Sequence, residues 1–426
     1  MIRIIDADDR EGVAALLSAA RVRDAATDRR VARIVADVRS GGDAALLRYA
    51  KKFDRLEGGL EVPHSEIRAA AATVPAAVRT AIRDAAKHIR AVARKQVPKG
   101  WRVQVAPGVS VEQRVTPLDR VGCYVPGGRY PLPSSLLMTA IPARAAGVAE
   151  IIVACPRPEP VVLAAALEAG ATRVFRVGGA HAVAAMAYGT ESVPRVDKIV
   201  GPGNRFVASA KALVATDCGI DFYAGPTEIL IVAARGSADW IAADLIAQAE
   251  HDPDARAVLV TPNRALAEAV VKAVTAQAPQ DGPARTALAT HGGVIVTQTM
   301  DQAMALSNAA APEHLVLERE SLLARTTAAG SIFIGPWTAQ VAGDYAIGSN
   351  HVLPTAGAAR VRGGLSAADF VRQVTVQRLS EAGLRRIGPT VTTLARAEGL
   401  EGHAASVDIR IGLPKLAKQA RKRTAR

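Results

Sequence analysis

The chain has no run approaching the roughly 20 uninterrupted apolar residues that a membrane helix needs. Its first residues, MIRIIDADDREG, are acidic where a secretory signal would be basic and then apolar. A cytoplasmic protein is therefore expected. Cysteine is scarce: Cys123, Cys155 and Cys218 are far apart, odd in number and form no CxxC, which argues against a disulfide framework and against a thiolate zinc site. Aromatic residues make up only 4% of the chain against 49% hydrophobic, so the core must be packed with Ala, Val, Ile and Leu. Neither GxGxxG nor a Walker A sequence occurs, and there is no short repeat or low-complexity linker.

The 426 residues exceed what a single core usually organises, which predicts two or three domains. A formal charge of +13 invites a nucleic-acid reading, but six of those charges come from Lys415, Lys418, Arg421, Lys422, Arg423 and Arg426. A basic tail of this kind reads as a solvated end, and the aromatics that stack on bases are missing. A nucleic-acid partner is disfavoured, although the residual positive balance suits anionic ligands.

Residues 1 to about 110 carry helical spacing, as in Val31, Ile34, Val35 and Val38, then Ala45, Leu46, Tyr49 and Phe53 around a Ser40-Gly41-Gly42 break. From about 118 the pattern changes to short apolar runs, each followed by Gly or Pro and an alanine-rich helix: EIIVACP, RVFRVGG and DKIVGPGN. The rhythm restarts at EILIVAA and continues through RAVLVTP, GGVIVTQ, HLVLE and SIFIG. Two such sets predict an α/β protein with two Rossmann-like, incompletely doubly wound domains, 25–226 and 227–365. Helical extensions at 1–24 and 366–426 complete the expected layout. After about 366 strand signals fade, and Gly399 is placed to end a helix.

Three glycine-rich turns, VPGGRYP (125–131), VGGAH (177–181) and VGPGN (200–204), follow strands and could bring backbone N–H groups to a phosphate. Each taken singly is as well explained as a tight βα turn. In the helix beginning near Ala238, Gln248 and His251 follow the Ile241, Leu245, Ile246 stripe and are neighbours at i, i+3. From spacing alone a hydrogen-bonded pair is the commoner outcome than a metal site. Glu313-His314 stands at the mouth of a strand after Pro312, and offers two proton acceptors of different basicity if the backbone turns there. Asp344, the run GSNHVLPT and EGLEGH are polar islands bordered by Gly or Pro. With Gln248 and His251 they supply oxygen and imidazole donors suited to Zn²⁺ or Mn²⁺.

Taken in order, YVPGG, GTESVPRVDKIVGPGN, AGPTEIL, DLIAQAEHDP, APEHL, AGSIFIG, AGDYAIGSNHVLPT and EGLEGHA resemble the signature series of the L-histidinol dehydrogenase family over nearly the whole chain. The resemblance implies oxidation of L-histidinol to L-histidine through histidinal in two NAD-dependent steps. It implies Gln248, His251, Asp344 and His403 as ligands of one Zn²⁺, and Glu313 and His314 as the catalytic pair. Thr227 and Glu398 match substrate contacts, as do His314 and the four ligands, while Tyr124, His181 and Asn204 match dinucleotide contacts. It further implies a homodimer whose C-terminal extensions cross, so that His403 and Glu398 complete the partner's site. Two positions depart from the pattern: His181 stands where glutamine is usual, and Thr227 where serine is commoner. VGCYVPGGRYP and AGPTEIL are also similar to relatives that oxidise other small alcohols, such as sulfonated diols.

Overall fold

The structure, a computed structural model, describes residues 2–17, 24–127, 130–223 and 225–412. The basic tail beyond 412, and Gly128 and Arg129 of the first glycine turn, lie outside the described residues.

β1 (Arg3–Asp6) opens the chain, and β2 (Trp101–Ala106) and β3 (Val109–Pro117) form an antiparallel hairpin. β4 (Arg120–Tyr124), β5 (Glu150–Ala154), β6 (Arg173–Phe175), β7 (Lys198–Val200) and β8 (Gly219–Ile220) make a parallel sheet ordered β6-β5-β4-β7-β8. A second parallel sheet comprises β9 (Glu228–Val232), β10 (Arg256–Thr261), β11 (Gly292–Val296), β12 (His314–Leu317) and β13 (Ser331–Ile334), ordered β1-β11-β10-β9-β12-β13. β14 (Val371–Leu379) pairs antiparallel with β3.

The strands of both parallel sheets are near-continuous apolar runs because helices cover both faces. In the second sheet Ile229, Ile231 and Leu259 enter one core cluster, while Leu230, Val232, Val258 and Val260 enter the cluster on the other face. Helices stop where the sequence supplies a left-handed residue: Gly147 (φ 96°) closes Pro133–Ala146, and Gly170 (φ 74°) closes Pro160–Ala169. The anticipated break at Ser40–Gly42 is a kink within Ala25–Tyr49, where Gly42 takes φ 50° and the Glu191 carboxylate accepts the Asp43 N–H at 2.7 Å. The three cysteines are buried and free, and desolvation pushes the Cys123 thiol up to about 12, so they are inert packing groups.

The chain divides into two compact units: residues 1–97 with 118–370, and residues 98–117 with 371–426. Both parallel sheets belong to the first unit. The second contains β2, β3 and β14, followed by the helices Glu381–Ala397 and Glu401–Ile411, which pack together with an Arg396–Asp408 ion pair at 2.5 Å. Gly399 (φ 75°) follows the first of these helices, as expected.

Three strands depart from the sequence reading. β1 and β2 fall in the stretch read as helical, and β14 falls where strand signals were expected to fade. Their exposure explains the miss. No residue of β2 or β14 is fully buried, so apolar alternation, the signal of a half-buried strand, is absent. β1 is a four-residue edge strand with only its middle half-covered.

Candidate active site

Both sheets are wound the same way. From β4 the chain moves outward through β5 and β6, then returns to the other side of β4 for β7; from β9 it moves through β10 and β11, then returns for β12. A crevice at the strand carboxyl ends is the usual ligand position in such a sheet, at the point where the winding reverses.

In the first sheet the glycine turns do gather at the carboxyl ends. A Cβ on Gly127 or Gly178 would press on Pro156, and one on Gly201 (φ 119°) would lie 2.2 Å from the Tyr124 carbonyl oxygen. The VGPGN turn therefore closes on the end of β4 at the reversal point. Asn204 caps the helix Arg205–Val214 by accepting the Phe206 and Val207 N–H groups at 3.0 and 3.2 Å. The VGGAH turn is satisfied internally. Asp54 accepts the Gly178 N–H at 2.9 Å and the Tyr124 hydroxyl accepts that of Gly179 at 3.0 Å. His181 is buried, with Nε2–H donating to Asp54 at 2.7 Å. Burial raises the Tyr124 phenol far above its ordinary range, so it stays protonated.

In the second sheet the expected chemistry collects at the opposite edge, where strands begin. Ala311 takes φ 49° at the end of the helix Met300–Ala310, supplying the turn that the Glu313-His314 reading required. Both side chains are buried. Glu313 Oε2 accepts from the Thr227 hydroxyl at 2.6 Å and from the Glu228 N–H at 2.8 Å. His314 Nδ1 lies 3.1 Å from the Glu228 carbonyl oxygen, which can only accept, so Nδ1 carries the proton and Nε2 is the free base. That Nε2 faces Asp344 Oδ1 at 3.9 Å. Burial holds His314 below the ordinary imidazole range, and it pushes Glu313 up to about 8, with the Asp344 charge adding to the rise.

Gln248 is fully buried at the end of the helix Ala238–Ala249 and donates to the Thr227 hydroxyl at 2.5 Å. Its Oε1 is buried and has no hydrogen-bond partner among the described residues. His251, two residues past the helix, is exposed rather than directed to the core. Asp344 is held by Gln340 at 3.0 Å. Among the described residues no three His, Cys, Asp or Glu side chains converge as a metal cluster. The orphaned amide oxygen lies outside that class of donor, and an oxygen left without a hydrogen is the atom a hard or borderline cation takes. Gln248 Oε1 is thus a donor available to a metal, with His251 and Asp344 the further ligands that the family resemblance implies. Glu398, which caps the helix Glu381–Ala397, and His403 are exposed and belong to the second unit.

Two residues escaped the sequence reading although both stand in quoted motifs. Glu228, in AGPTEIL, is buried beneath Glu313: its Oε1 accepts the Glu313 and Ala356 N–H groups at 3.3 and 3.1 Å, and its Oε2 pairs with Arg256 at 3.3 Å. Burial and the Glu313 charge push it up to about 7. His351, in GSNHVLPT, donates from Nδ1 to the Asp344 carbonyl at 3.0 Å and places Nε2 3.5 Å from the Ser135 hydroxyl, on the helix that follows β4. Periodicity could not separate Glu228 from the apolar strand it begins; its sole signal was a carboxylate at a position otherwise buried.

The histidinol dehydrogenase family model matches residues 17–411. The histidinol dehydrogenase of Methylococcus capsulatus is 46% identical over 95% of this chain and 97% of its own length. That of Cereibacter sphaeroides is 48% identical over 93% and 95%. The chain belongs to the histidinol dehydrogenase family. The crystal structure of the Elizabethkingia anophelis histidinol dehydrogenase superposes with a TM-score of 0.92 at 33% identity, covering 96% of this chain and 98% of that one. The family is one of oxidoreductases, so the chain is an enzyme, and no helix among the described residues is long and apolar enough to cross a membrane.

Proposed function

We propose that the enzyme oxidises L-histidinol to L-histidine in two NAD-dependent steps through histidinal, in the cytoplasm, with one zinc ion held by Gln248, His251, Asp344 and His403. The observation that carries the reading is the buried Glu313–His314 pair beside the partnerless oxygen of Gln248. Residues 25–226 hold the dinucleotide at Tyr124 and Asn204, with His181 behind the VGGAH turn. Residues 227–365 carry the chemistry.

The metal, when bound, supplies a charge that orients the substrate's nitrogen donors, and the dinucleotide supplies the hydride acceptor. Family resemblance adds a homodimer, in which His403 of the partner subunit completes the ligand set and Glu398 of the partner subunit faces the substrate's ammonium group.

His314 Nε2 takes the proton of the alcohol as the carbon gives up its hydride; its tautomer is fixed by the Glu228 carbonyl, so the base is ready at neutral pH. Glu313 then takes a proton from the water that adds to the aldehyde, and a second hydride leaves the resulting hydrate to give the carboxylate. Thr227 links Gln248 to Glu313 through its hydroxyl, which keeps the ligand and the base in register.

Purified enzyme supplied with zinc, L-histidinol and NAD⁺ is expected to form two NADH per histidinol consumed. Absence of turnover with histidinol, or turnover of a sulfonated diol in its place, rejects the substrate.

A further inference from the structure

The second sheet has a crevice at its reversal point that the catalytic reading leaves unused. Between the carboxyl ends of β9 and β12 lies a cavity of about 360 Å³, within the size range of small-ligand sites. Ile231, Ala233 and Val316 form its apolar wall, and Trp240, Asp244 and Glu318 supply the groups that decide what it takes.

In a doubly wound domain the first βα turn at this position presents N–H groups to a phosphate. Here that place is already filled. Glu318, with its side chain only 4% exposed, accepts the N–H groups of Ala234 and Arg235 at 2.6 and 2.9 Å, and its other oxygen pairs with Arg319. A nucleotide phosphate would have to displace a carboxylate from its own cradle. The neighbouring helix start repeats the sign: Ser237 uses its hydroxyl on the Trp240 N–H, and Asp239 occupies the first turn.

Asp244 lines the same cavity one helical turn after Trp240. Among the described residues it has no hydrogen bond or ion pair, and burial alone pushes its carboxyl up to about 6, so at neutral pH it is chiefly an anion without a counter-charge. Arg235 stands at the rim but is exposed. Trp240 and Trp337 meet at 5.2 Å between ring centroids while remaining 48% and 85% exposed. Tryptophan faces favour a cation or a flat ring over bulk water.

We propose that this cavity is a second ligand site that binds a small organic ammonium ion with an aryl or apolar body, its charge on Asp244 and its body against Trp240. The site is separate from the Glu313–His314 chemistry, and its test does not depend on the catalytic reading.

Titration of the full-length enzyme with phenethylamine, followed by tryptophan fluorescence, is expected to saturate. 2-Phenylethanol, which keeps the body and drops the charge, and the D244N enzyme with phenethylamine are each expected to bind about tenfold or more weakly. D244N should retain wild-type kcat, because Asp244 is not among the reacting groups. W240L, followed by titration calorimetry because it removes the reporter ring, provides an independent variant should D244N fold poorly, with binding lost and turnover kept. A response that is absent or unsaturable in the wild type, or equal in D244N, overturns the proposal. So does AMP binding at the cavity in preference to the amine.

Discussion

The two parallel sheets share one winding order, yet they gather their candidate ligand residues at opposite edges. The first uses its strand carboxyl ends, around Tyr124, Gly201 and Asn204; the second uses the strand entrances, around Gln248, Glu313 and His314. Helix dipoles account for the division. Carboxyl ends of strands feed helix N-termini, which carry partial positive charge and suit a dinucleotide's phosphates. Strand entrances receive helix C-termini: Ala238–Ala249 ends one residue after Gln248, and Met300–Ala310 ends just before Glu313. That edge is partially negative, which favours a divalent cation and a cationic substrate. The carboxyl edge of the first sheet thereby suits an anion and the strand entrances of the second a cation; at the carboxyl edge of the second sheet the Glu318 carboxylate already fills the phosphate place and reverses the sign.

The largest expected effect breaks the second edge alone. E313Q should lower kcat by about 10²–10⁴-fold, while dinucleotide affinity, read by fluorescence quenching, stays near wild type. Because only the ionised carboxylate accepts the water proton, wild-type turnover of histidinal should rise with pH through about 8. The stability sign is the reverse. A carboxyl raised from its ordinary 4.5 favours the folded state below that range and loses the advantage as pH approaches 8. Metal-free E313Q should therefore gain melting temperature over metal-free wild type as pH climbs from 5 to 8. A difference independent of pH would show that Glu313 is not raised.

Next in size is the metal. Q248A removes the partnerless oxygen, and zinc affinity measured by chelator competition should fall by about 10–100-fold. Retained zinc at wild-type affinity would remove Gln248 from the ligand set. At the first edge, G201A forces a Cβ to 2.2 Å from the Tyr124 carbonyl at φ 119°. The expected cost is about 1–3 kcal/mol of stability and a severalfold higher KM for NAD⁺, with the metal content unchanged. A parallel loss of zinc in G201A would mean that the two edges are not energetically separate.

Much of this division could be read before folding. Short apolar runs punctuated by Gly or Pro mark buried parallel strands, because both faces are covered and alternation disappears, as in β9. The exposed β2 and β14 and the half-buried β3 carry no such mark. They are held by antiparallel ladder bonds, which composition does not report. Within the site, Glu313 and His314 were legible through Pro312, but the turn itself resides in Ala311 at φ 49°, a conformation no alanine announces. The exposure of His251 and the burial of His181 against Asp54 were equally hidden, since each depends on a partner or its absence far along the chain.

The smallest effect asks whether the edge is tuned as well as placed. Glu228 holds the Glu313 and Ala356 peptides with one oxygen and Arg256 with the other, and its backbone carbonyl sets the His314 tautomer. Ala356, and Ala311 two residues before Glu313, are two of the three non-glycine residues with positive φ among those described, so this carboxylate accepts N–H groups in or beside two strained turns. E228Q preserves an acceptor oxygen and the backbone carbonyl while removing a negative charge beside Glu313. The Glu313 carboxyl should then ionise more easily, moving the rising limb of the histidinal pH profile toward lower pH by roughly one unit, with kcat at the plateau within a few-fold of wild type. If the limb stays where it is and only the plateau falls, Glu228 is a structural clamp and the basicity of Glu313 comes from burial alone.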